Sequence, residues 1–253
     1  MKTGKFARGL MCLGLMICVG CGTTMGAKSE KAGGQSKQML NKKITKVEDC
    51  NYLLYLSADY GKSKDKWPLI MFLHGAGERG NNIEVVKKHG PPKMIAQGKN
   101  FDFIIISPQC PIDLWWPEQT DLLITLLDEI EAKYRVDTDR VYLTGLSMGG
   151  FGTWMLAEKY PNRFAAIAPI CGGSEQYAAY KLRRVPVWAF HGAKDPTVPL
   201  ARSQDMVNAI KKIGGDAKLT IYPEAEHDSW TETYNNPELY QWFLSHKISD
   251  RTK

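Results

Sequence analysis

Val141-Tyr-Leu-Thr-Gly-Leu-Ser147-Met-Gly-Gly-Phe-Gly-Thr-Trp154 is the stretch that decides how the rest of the chain is interpreted. An apolar run ending at Thr144 predicts a buried strand and residues 151–160 predict a helix, so Ser147 lies at the apex of a strand-turn-helix. Gly145 and Gly149 flank this serine where a Cβ would crowd the strand and the helix. The pattern is the G-x-S-x-G nucleophile elbow, which exposes a serine hydroxyl above a sheet. The motif also occurs by chance, so the surrounding sequence has to support it.

Strand and helix patterns alternate on both sides of this elbow. Apolar runs predict buried parallel strands at residues 68–73, 101–107, 164–170, 185–190 and 219–222. Helical patterns occupy residues 82–98, with a break at Gly90-Pro-Pro92, and residues 121–135, 202–213 and 237–246. Residues 44–56 predict a pair of antiparallel edge strands. The order predicts an α/β protein with a mostly parallel central sheet flanked by helices.

Three chemically suitable side chains follow predicted strands in the order Ser147, Asp195, His227. This is the chain order of the α/β-hydrolase triad, and ligand sites in such sheets lie at the carboxyl ends of the strands. Only His227 lies in a loop beyond the last strand; the other histidines are predicted to orient loops or to lie in helices, at His74, His191, His89 and His246. The competing acids fall inside a helix, in a Gly-Gly turn, or beside the histidine but directed elsewhere: Asp205, Asp216 and Asp228.

These residue types suit nucleophilic catalysis. A serine hydroxyl is too weakly acidic to attack an ester at neutral pH, so His227 is expected to accept its proton while Asp195 fixes the histidine tautomer. The backbone N–H of Met148 and that of Ala76 or Gly77, in the glycine-rich loop after the strand at 68–73, are expected to form the oxyanion hole. No metal and no cofactor are expected.

Several segments together resemble a known group of bacterial esterases: His74-Gly-Ala-Gly-Glu-Arg-Gly80, Ser107-Pro-Gln-Cys-Pro111, Trp115-Trp116, the elbow, His191-Gly-Ala-Lys-Asp195 and Glu226-His227. The group surrounds carbohydrate esterase family 1 and includes feruloyl and acetylxylan esterases, predicted peptidases and polyhydroxybutyrate-depolymerase-like proteins. The resemblance covers about residues 45–247. It implies an α/β-hydrolase fold with Ser147, Asp195 and His227 as the triad, and it leaves the acyl group open.

The short segment at residues 173–184 offers little material for a lid, which predicts an open cleft and favours a bulky or polymeric substrate. Trp115 and Trp116 are candidate substrate contacts, because an aromatic face can stack on a sugar or a hydroxycinnamoyl ring. The alternative is that one of them is a core residue and the other a loop anchor. Gln109 and Trp230 are further candidate contacts.

We therefore expect a serine esterase that releases feruloyl or acetyl groups from plant polysaccharide, or acts on a small ester, through an acyl-enzyme. A serine peptidase of prolyl-oligopeptidase type is the first alternative, although the chain lacks the large gating domain expected there. A non-catalytic surface binding module on the same scaffold is the second.

The first 43 residues predict export. Residues 1–21 combine Lys2, Lys5 and Arg8 with an apolar stretch and small residues, as in a secretory signal peptide. Cys21 after Val19-Gly20 resembles the acylated cysteine of a bacterial lipobox, although Cys18 stands where that motif usually has leucine. Residues 22–43 predict a flexible tether and residues 44–253 the catalytic domain. We expect a protein lipid-anchored to the bacterial outer membrane, periplasmic or surface-exposed; cleavage with simple secretion is the alternative.

Charge and cysteine content limit the classes of function that the sequence allows. The formal charge is +6, but residues 2–8 carry +3 and residues 28–46 carry +5, which leaves −2 for the rest and argues against nucleic-acid binding. Outside the leader the cysteines number three, Cys50, Cys110 and Cys171, without metal-ligand spacing. They predict small buried side chains, with a single disulfide as the alternative. The oligomeric state is left open.

Overall fold

The computed structural model describes residues 49–62 and 64–252. The predicted signal peptide, the lipidation candidate Cys21 and the tether lie outside the described residues, as do positions 44–48 of the predicted edge pair. None of the helices in the described ranges combines the length and apolarity that a bilayer crossing requires.

In the described ranges seven strands form one sheet: β1 (Tyr52–Tyr55), β2 (Trp67–Leu73), β3 (Ile104–Pro108), β4 (Val136–Leu146), β5 (Ala166–Ile170), β6 (Val187–Gly192) and β7 (Ala217–Tyr222). Their spatial order is β1-β3-β2-β4-β5-β6-β7. Of these seven described strands only β1 runs antiparallel to its neighbour, so the sheet is mostly parallel as predicted. The predicted edge pair is thus a single described strand at the edge of the sheet.

Among the described residues, six α-helices accompany the sheet: α1 (Gly90–Ala96), α2 (Thr120–Lys133), α3 (Met148–Lys159), α4 (Ala201–Lys212), α5 (Trp230–Asn235) and α6 (Pro237–Leu244). The predicted break at Gly90 is real: residues 83–88 form a 3₁₀ helix, and α1 begins at Gly90 with prolines in its first turn. The segment at 173–184 contributes only the 3₁₀ helix Gln176–Leu182. Helix α5 was not predicted, and β4 begins five residues earlier than expected.

The core consists of two apolar layers, one on each face of the sheet. Alternation along β2 shows the division, because Leu69 and Met71 face one layer while Ile70 and Phe72 face the other. The first layer packs against α2, α3 and α4, and the second against α1, α5 and α6. A sheet covered on both faces requires the continuous apolar strands seen in the sequence.

The parallel strands end along one edge, which positions the loops that carry the candidate residues. Leu73 at the end of β2 pairs in register with Gly145 near the end of β4, so the loops after these strands leave the sheet side by side. On the other side of β4, Leu146 pairs with Ile170 of β5, and Ile170 pairs with Phe190 of β6. Strand β7 completes this edge beside β6.

Candidate active site

Ser147 occupies a strained turn between β4 and α3. Its backbone has φ 52° and ψ −116°, a conformation that non-glycine residues rarely adopt. A Cβ on Gly149 would lie 1.9 Å from the carbonyl oxygen of Leu73, and one on Gly145 would lie 2.4 Å from the carbonyl oxygen of Gly149. The two glycines therefore let the elbow turn directly against the end of β2.

The three residues predicted for the triad meet at the edge of the sheet. The hydroxyl of Ser147 lies 2.9 Å from Nε2 of His227, and Nδ1 of His227 lies 2.7 Å from Oδ2 of Asp195. Because the carboxylate can only accept, His227 carries its proton on Nδ1, which leaves Nε2 free to accept the serine proton. The Asp195 side chain is fully buried, whereas that of His227 is 23% exposed, so of the two only the histidine is accessible to solvent.

Asp195 is held as a carboxylate by its own turn. The amides of Thr197 and Val198 donate to Oδ1 at 2.8 and 2.9 Å. Burial alone would raise the pKa of Asp195, but the hydrogen bonds from His227 and from these two amides outweigh it, and the pKa lies below its usual value. The acid therefore stays ionised and keeps the histidine oriented.

A second histidine lies behind this carboxylate. Nε2 of His191 is 2.9 Å from the carbonyl oxygen of Val198 and 3.3 Å from Oδ2 of Asp195. Its Nδ1 is 2.8 Å from the hydroxyl of Ser203, which also lies 2.9 Å from the carbonyl oxygen of Gly172. His191 is fully buried, and burial lowers its pKa, so it is a neutral imidazole. The sequence predicted that it orients a loop, but its approach to Asp195 was not anticipated.

Cys171 lies against the nucleophile from the end of β5. Its Sγ accepts a hydrogen bond from the Ser147 amide at 3.3 Å, and burial raises the pKa of the thiol to about 12. Potential metal ligands of Cys171, Asp195 and His227 lie within 4.8 Å of one another. The aspartate and the histidine are already committed to each other and the sulfur is a protonated thiol, so the arrangement suits proton transfer better than metal binding. Within the described ranges Cys50, Cys110 and Cys171 are free thiols.

Residues 74–80 form the loop predicted to complete an oxyanion hole, and buried side chains hold it rigidly. Nε2 of His74 accepts a hydrogen bond from the Cys110 amide at 3.0 Å, and burial lowers the pKa of His74 to about 4. Ala76 is half-buried and Gly77 is exposed, and both lie in a single 3₁₀ turn at the tip of the loop. Met148 is the first residue of α3, directly after the nucleophile.

Two predicted substrate contacts are wrong, because their side chains are buried supports of this loop. Trp116 is fully buried and donates from Nε1 to the carbonyl oxygen of His74 at 2.9 Å. Gln109 is 3% exposed and donates to the carbonyl oxygens of Glu78 and Asn82. Neither offers a surface to a substrate, and the alternative in which one tryptophan of the pair belongs to the core is correct for Trp116.

The other two tryptophans that were predicted as substrate contacts, Trp115 and Trp230, are accessible to solvent. Trp115 is 47% exposed, and the guanidinium of Arg79 lies 5.0 Å from its ring centroid. Trp230 stands perpendicular to His227 with the ring centroids 5.2 Å apart, and its Nε1 donates to His89 at 3.3 Å. Beyond Trp230 is a cavity of about 130 Å³ with a mixed polar and apolar lining that includes His89, Gly90, Lys93, Met94, Thr231 and Asn235.

Comparisons with known proteins identify esterases among the proteins that this chain resembles. The bifunctional acetylxylan esterase/xylanase XynS20E of Neocallimastix patriciarum is 27% identical over 69% of this chain, which spans only 26% of that enzyme. A protein of Aspergillus terreus named "Probable feruloyl esterase C" is 23% identical over 79% of this chain and 76% of its own length. A crystal structure of a thermostable esterase superposes with a TM-score of 0.69 and 30% identity, covering 78% of this chain and 59% of that one.

The α/β-hydrolase fold predicted from the sequence is thus confirmed, and so is the resemblance to esterases. The profile of the dienelactone hydrolase family matches residues 111–241, a span that includes the elbow, the Asp195 turn and His227. This match covers more than half of the sequence, and the chain belongs to the dienelactone hydrolase family.

Proposed function

We propose that this protein is a serine esterase in which Ser147, His227 and Asp195 form the catalytic triad. The observation that carries the proposal is the continuous pair of hydrogen bonds from the serine hydroxyl to His227 and from His227 to the buried carboxylate, at 2.9 and 2.7 Å. Those distances fall within the range that a nucleophile and its general base require.

The geometry supports a two-step acyl transfer. Oγ of Ser147 attacks the ester carbonyl carbon while Nε2 of His227 takes the hydroxyl proton, and Asp195 stabilises the imidazolium that results. When the tetrahedral intermediate collapses, the C–O bond to the alcohol breaks and His227 returns the proton to the leaving oxygen. Water then attacks the acyl-enzyme with His227 again as base, which releases the carboxylic acid and restores the serine.

The developing oxyanion would be bound by backbone N–H groups of Met148 and of Ala76 or Gly77. Support comes from the in-register ends of β2 and β4, which bring the two loops together, and from the buried side chains that hold residues 74–80. Each such donor contributes about 10²–10³ in rate because it is positioned before the charge develops.

The substrate we propose is a feruloyl or acetyl ester of plant polysaccharide. The short 173–184 segment, the exposed Trp115 and the position of Trp230 beside His227 support an open, aromatic-flanked cleft that admits a polymer. The names of the matched relatives, an acetylxylan esterase and a feruloyl esterase, support the same substrate class.

Assays of the purified protein on methyl ferulate, acetylated xylan and a short p-nitrophenyl ester test the proposal, with Ser147→Ala as the inactive control. We expect release of acid from at least one polysaccharide-type ester, together with labelling of Ser147 by a fluorophosphonate. Labelling without turnover of any of the three esters would contradict the substrate assignment. Cleavage of peptide amides but not esters would favour the peptidase alternative, and full function of Ser147→Ala would favour a binding module.

A further inference from the structure

The segment between β5 and β6 presents two tyrosines to solvent. Tyr177 is 80% exposed and Tyr180 is 66% exposed, the two highest values among large apolar side chains in the described ranges. They lie three residues apart in the 3₁₀ helix Gln176–Leu182, whose other side buries Ala178, Ala179 and Leu182. Residues at i and i+3 of a 3₁₀ helix eclipse, so the two tyrosines project from one face of the helix, with a backbone rise of about 6 Å between them.

These rings border an open groove of about 490 Å³ between the 3₁₀ helix and α4. The opposite wall is one stripe of α4 together with Ile213, the residue that follows the helix. The lining residues of α4 recur at helical spacing: Asp205, Asn208, Ala209 and Lys212. Gln176 lies beside Tyr177 on the near wall. Within the part of the chain that the structure describes, no hydrogen bond or ion pair engages the side chains of Gln176, Asp205 or Asn208.

The lining combines aromatic surface with free amide and carboxylate groups, which is the chemistry that recognises a sugar chain. Aromatic rings pack against the apolar C–H faces of a pyranose, and amides and carboxylates bind its hydroxyls. The same lining suits other occupants poorly. A nucleic acid would meet the carboxylate of Asp205 opposed by only one lining cation, Lys212, and an acyl chain would meet polar groups along its length.

The groove also has a physical connection to the catalytic edge of the sheet. Its 3₁₀ helix follows Cys171, whose Sγ contacts the Ser147 amide, by only a few residues. Glu175, at the start of this helix, forms an ion pair with Arg202 in the first turn of α4, and the Gly172 carbonyl oxygen accepts from Ser203 in the same turn. Both walls of the groove are therefore fixed to elements that also form the active site.

We propose that Tyr177 and Tyr180 form a second, non-catalytic binding site for the backbone of a plant polysaccharide. The site holds the polymer on the enzyme surface while its ester substituents reach Ser147. This inference rests on the proposed function only for the identity of the polymer.

The experiment compares binding and turnover in the full-length protein. Binding to soluble xylan is measured by affinity gel electrophoresis in the Ser147→Ala background, where no ester is consumed. The double substitution Tyr177→Ala/Tyr180→Ala is expected to weaken xylan binding about tenfold, since loss of two stacking contacts removes about that factor. In the active protein it should slow release of acid from polymer-linked esters and leave hydrolysis of a p-nitrophenyl ester unchanged.

Two controls separate stacking from general surface effects. Tyr177→Phe/Tyr180→Phe keeps both ring faces and should retain xylan binding. Ile112→Ala removes an apolar side chain that is 60% exposed elsewhere on the surface and should leave binding unchanged.

Each outcome of these binding measurements either supports or overturns the proposed polysaccharide site. Unchanged xylan affinity in the double alanine variant, or equal loss in the phenylalanine variant, overturns the proposal. So does a parent protein that does not bind xylan, even if it hydrolyses esters. Xylan binding that depends on the tyrosines in a protein that hydrolyses no ester would uphold this site and refute the esterase assignment.

Discussion

His191 provides a sharp test of how the catalytic carboxylate is held. The substitution His191→Phe retains an aromatic ring and removes every hydrogen bond of the imidazole. In the native protein that ring is fully buried and contacts Val198 O, Ser203 Oγ and Asp195 Oδ2 at 2.9, 2.8 and 3.3 Å. Ser203 keeps Gly172 O as an acceptor, and Asp195 keeps His227 and two backbone amides as donors.

The expected losses follow from these contacts. The carbonyl oxygen of Val198 loses its imidazole partner in a buried position, which costs about 1–3 kcal/mol of unfolding free energy. The single Nε2–H of the neutral imidazole is shared between Val198 O at 2.9 Å and Asp195 Oδ2 at 3.3 Å, so the carboxylate loses the longer branch of that bond. Such a contact contributes about 1 kcal/mol, which corresponds to roughly fivefold in rate. Because His191 does not face the substrate, kcat should fall while KM stays constant.

Steady-state kinetics on a p-nitrophenyl ester and urea unfolding followed by tryptophan fluorescence measure both effects. Ser203→Ala is the matched control, because it removes only the hydroxyl behind the ring and should lower kcat by less. A folded His191→Phe protein with kcat within twofold of the parent would refute the idea that this histidine positions Asp195. A rise in KM without a fall in kcat would refute it as well.

Three further predictions concern the elbow, acid stability and the anchor. Gly149→Ala should abolish soluble folded protein by circular dichroism, because its Cβ would lie 1.9 Å from a backbone oxygen, whereas Gly77→Ala, which meets open space, should fold normally. Burial lowers the pKa of His74 from 6.5 to about 4, so the unfolded chain binds the proton first and stability falls as pH drops from 6.5 towards 4. His74 should contribute about 3 kcal/mol to the loss measured by urea titrations over that interval, so His74→Gln should show a smaller slope; equal slopes would contradict the assignment. We also propose acylation at Cys21, so radiolabelled palmitate should enter the parent but not Cys21→Ser, and incorporation that survives the substitution would disprove it.

Sequence patterns located the triad because each member follows a buried strand at the same edge. The order of apolar runs and turns along the chain was enough to assign Ser147, Asp195 and His227, because the carboxyl ends of parallel strands lie at the same edge of a sheet. Helix α5 was not predicted because its six residues are too few to show a periodic apolar pattern. The sequence did contain one indication of this helix, an aspartate just before it. In the structure Asp228 accepts a hydrogen bond from the Thr231 amide, as a capping residue does at the start of a helix.

Trp116 and Gln109 show why the substrate contacts could not be assigned from sequence. Both lie in a loop after β3, and residue type gave no indication of whether a side chain turns outward or beneath the neighbouring loop. Neighbouring residues 115 and 116 differ completely in exposure, because Trp116 finds a buried acceptor in the His74 carbonyl oxygen and Trp115 finds only the Arg79 guanidinium at the surface. Such a choice depends on tertiary partners that are far away in the chain.

The backbone of the elbow is strained, and a second strained residue follows the neighbouring strand. In the described ranges the non-glycine residues with positive φ are Ser147, at 52°, and Cys171, at 41°. They follow β4 and β5, and the Ser147 amide donates to both the Ile170 carbonyl oxygen and the Cys171 sulfur. Conformations of this kind cost about 1–3 kcal/mol each and persist only where their surroundings fix them. Here the paired strand ends do so, which places the nucleophile in its exposed position before any substrate arrives.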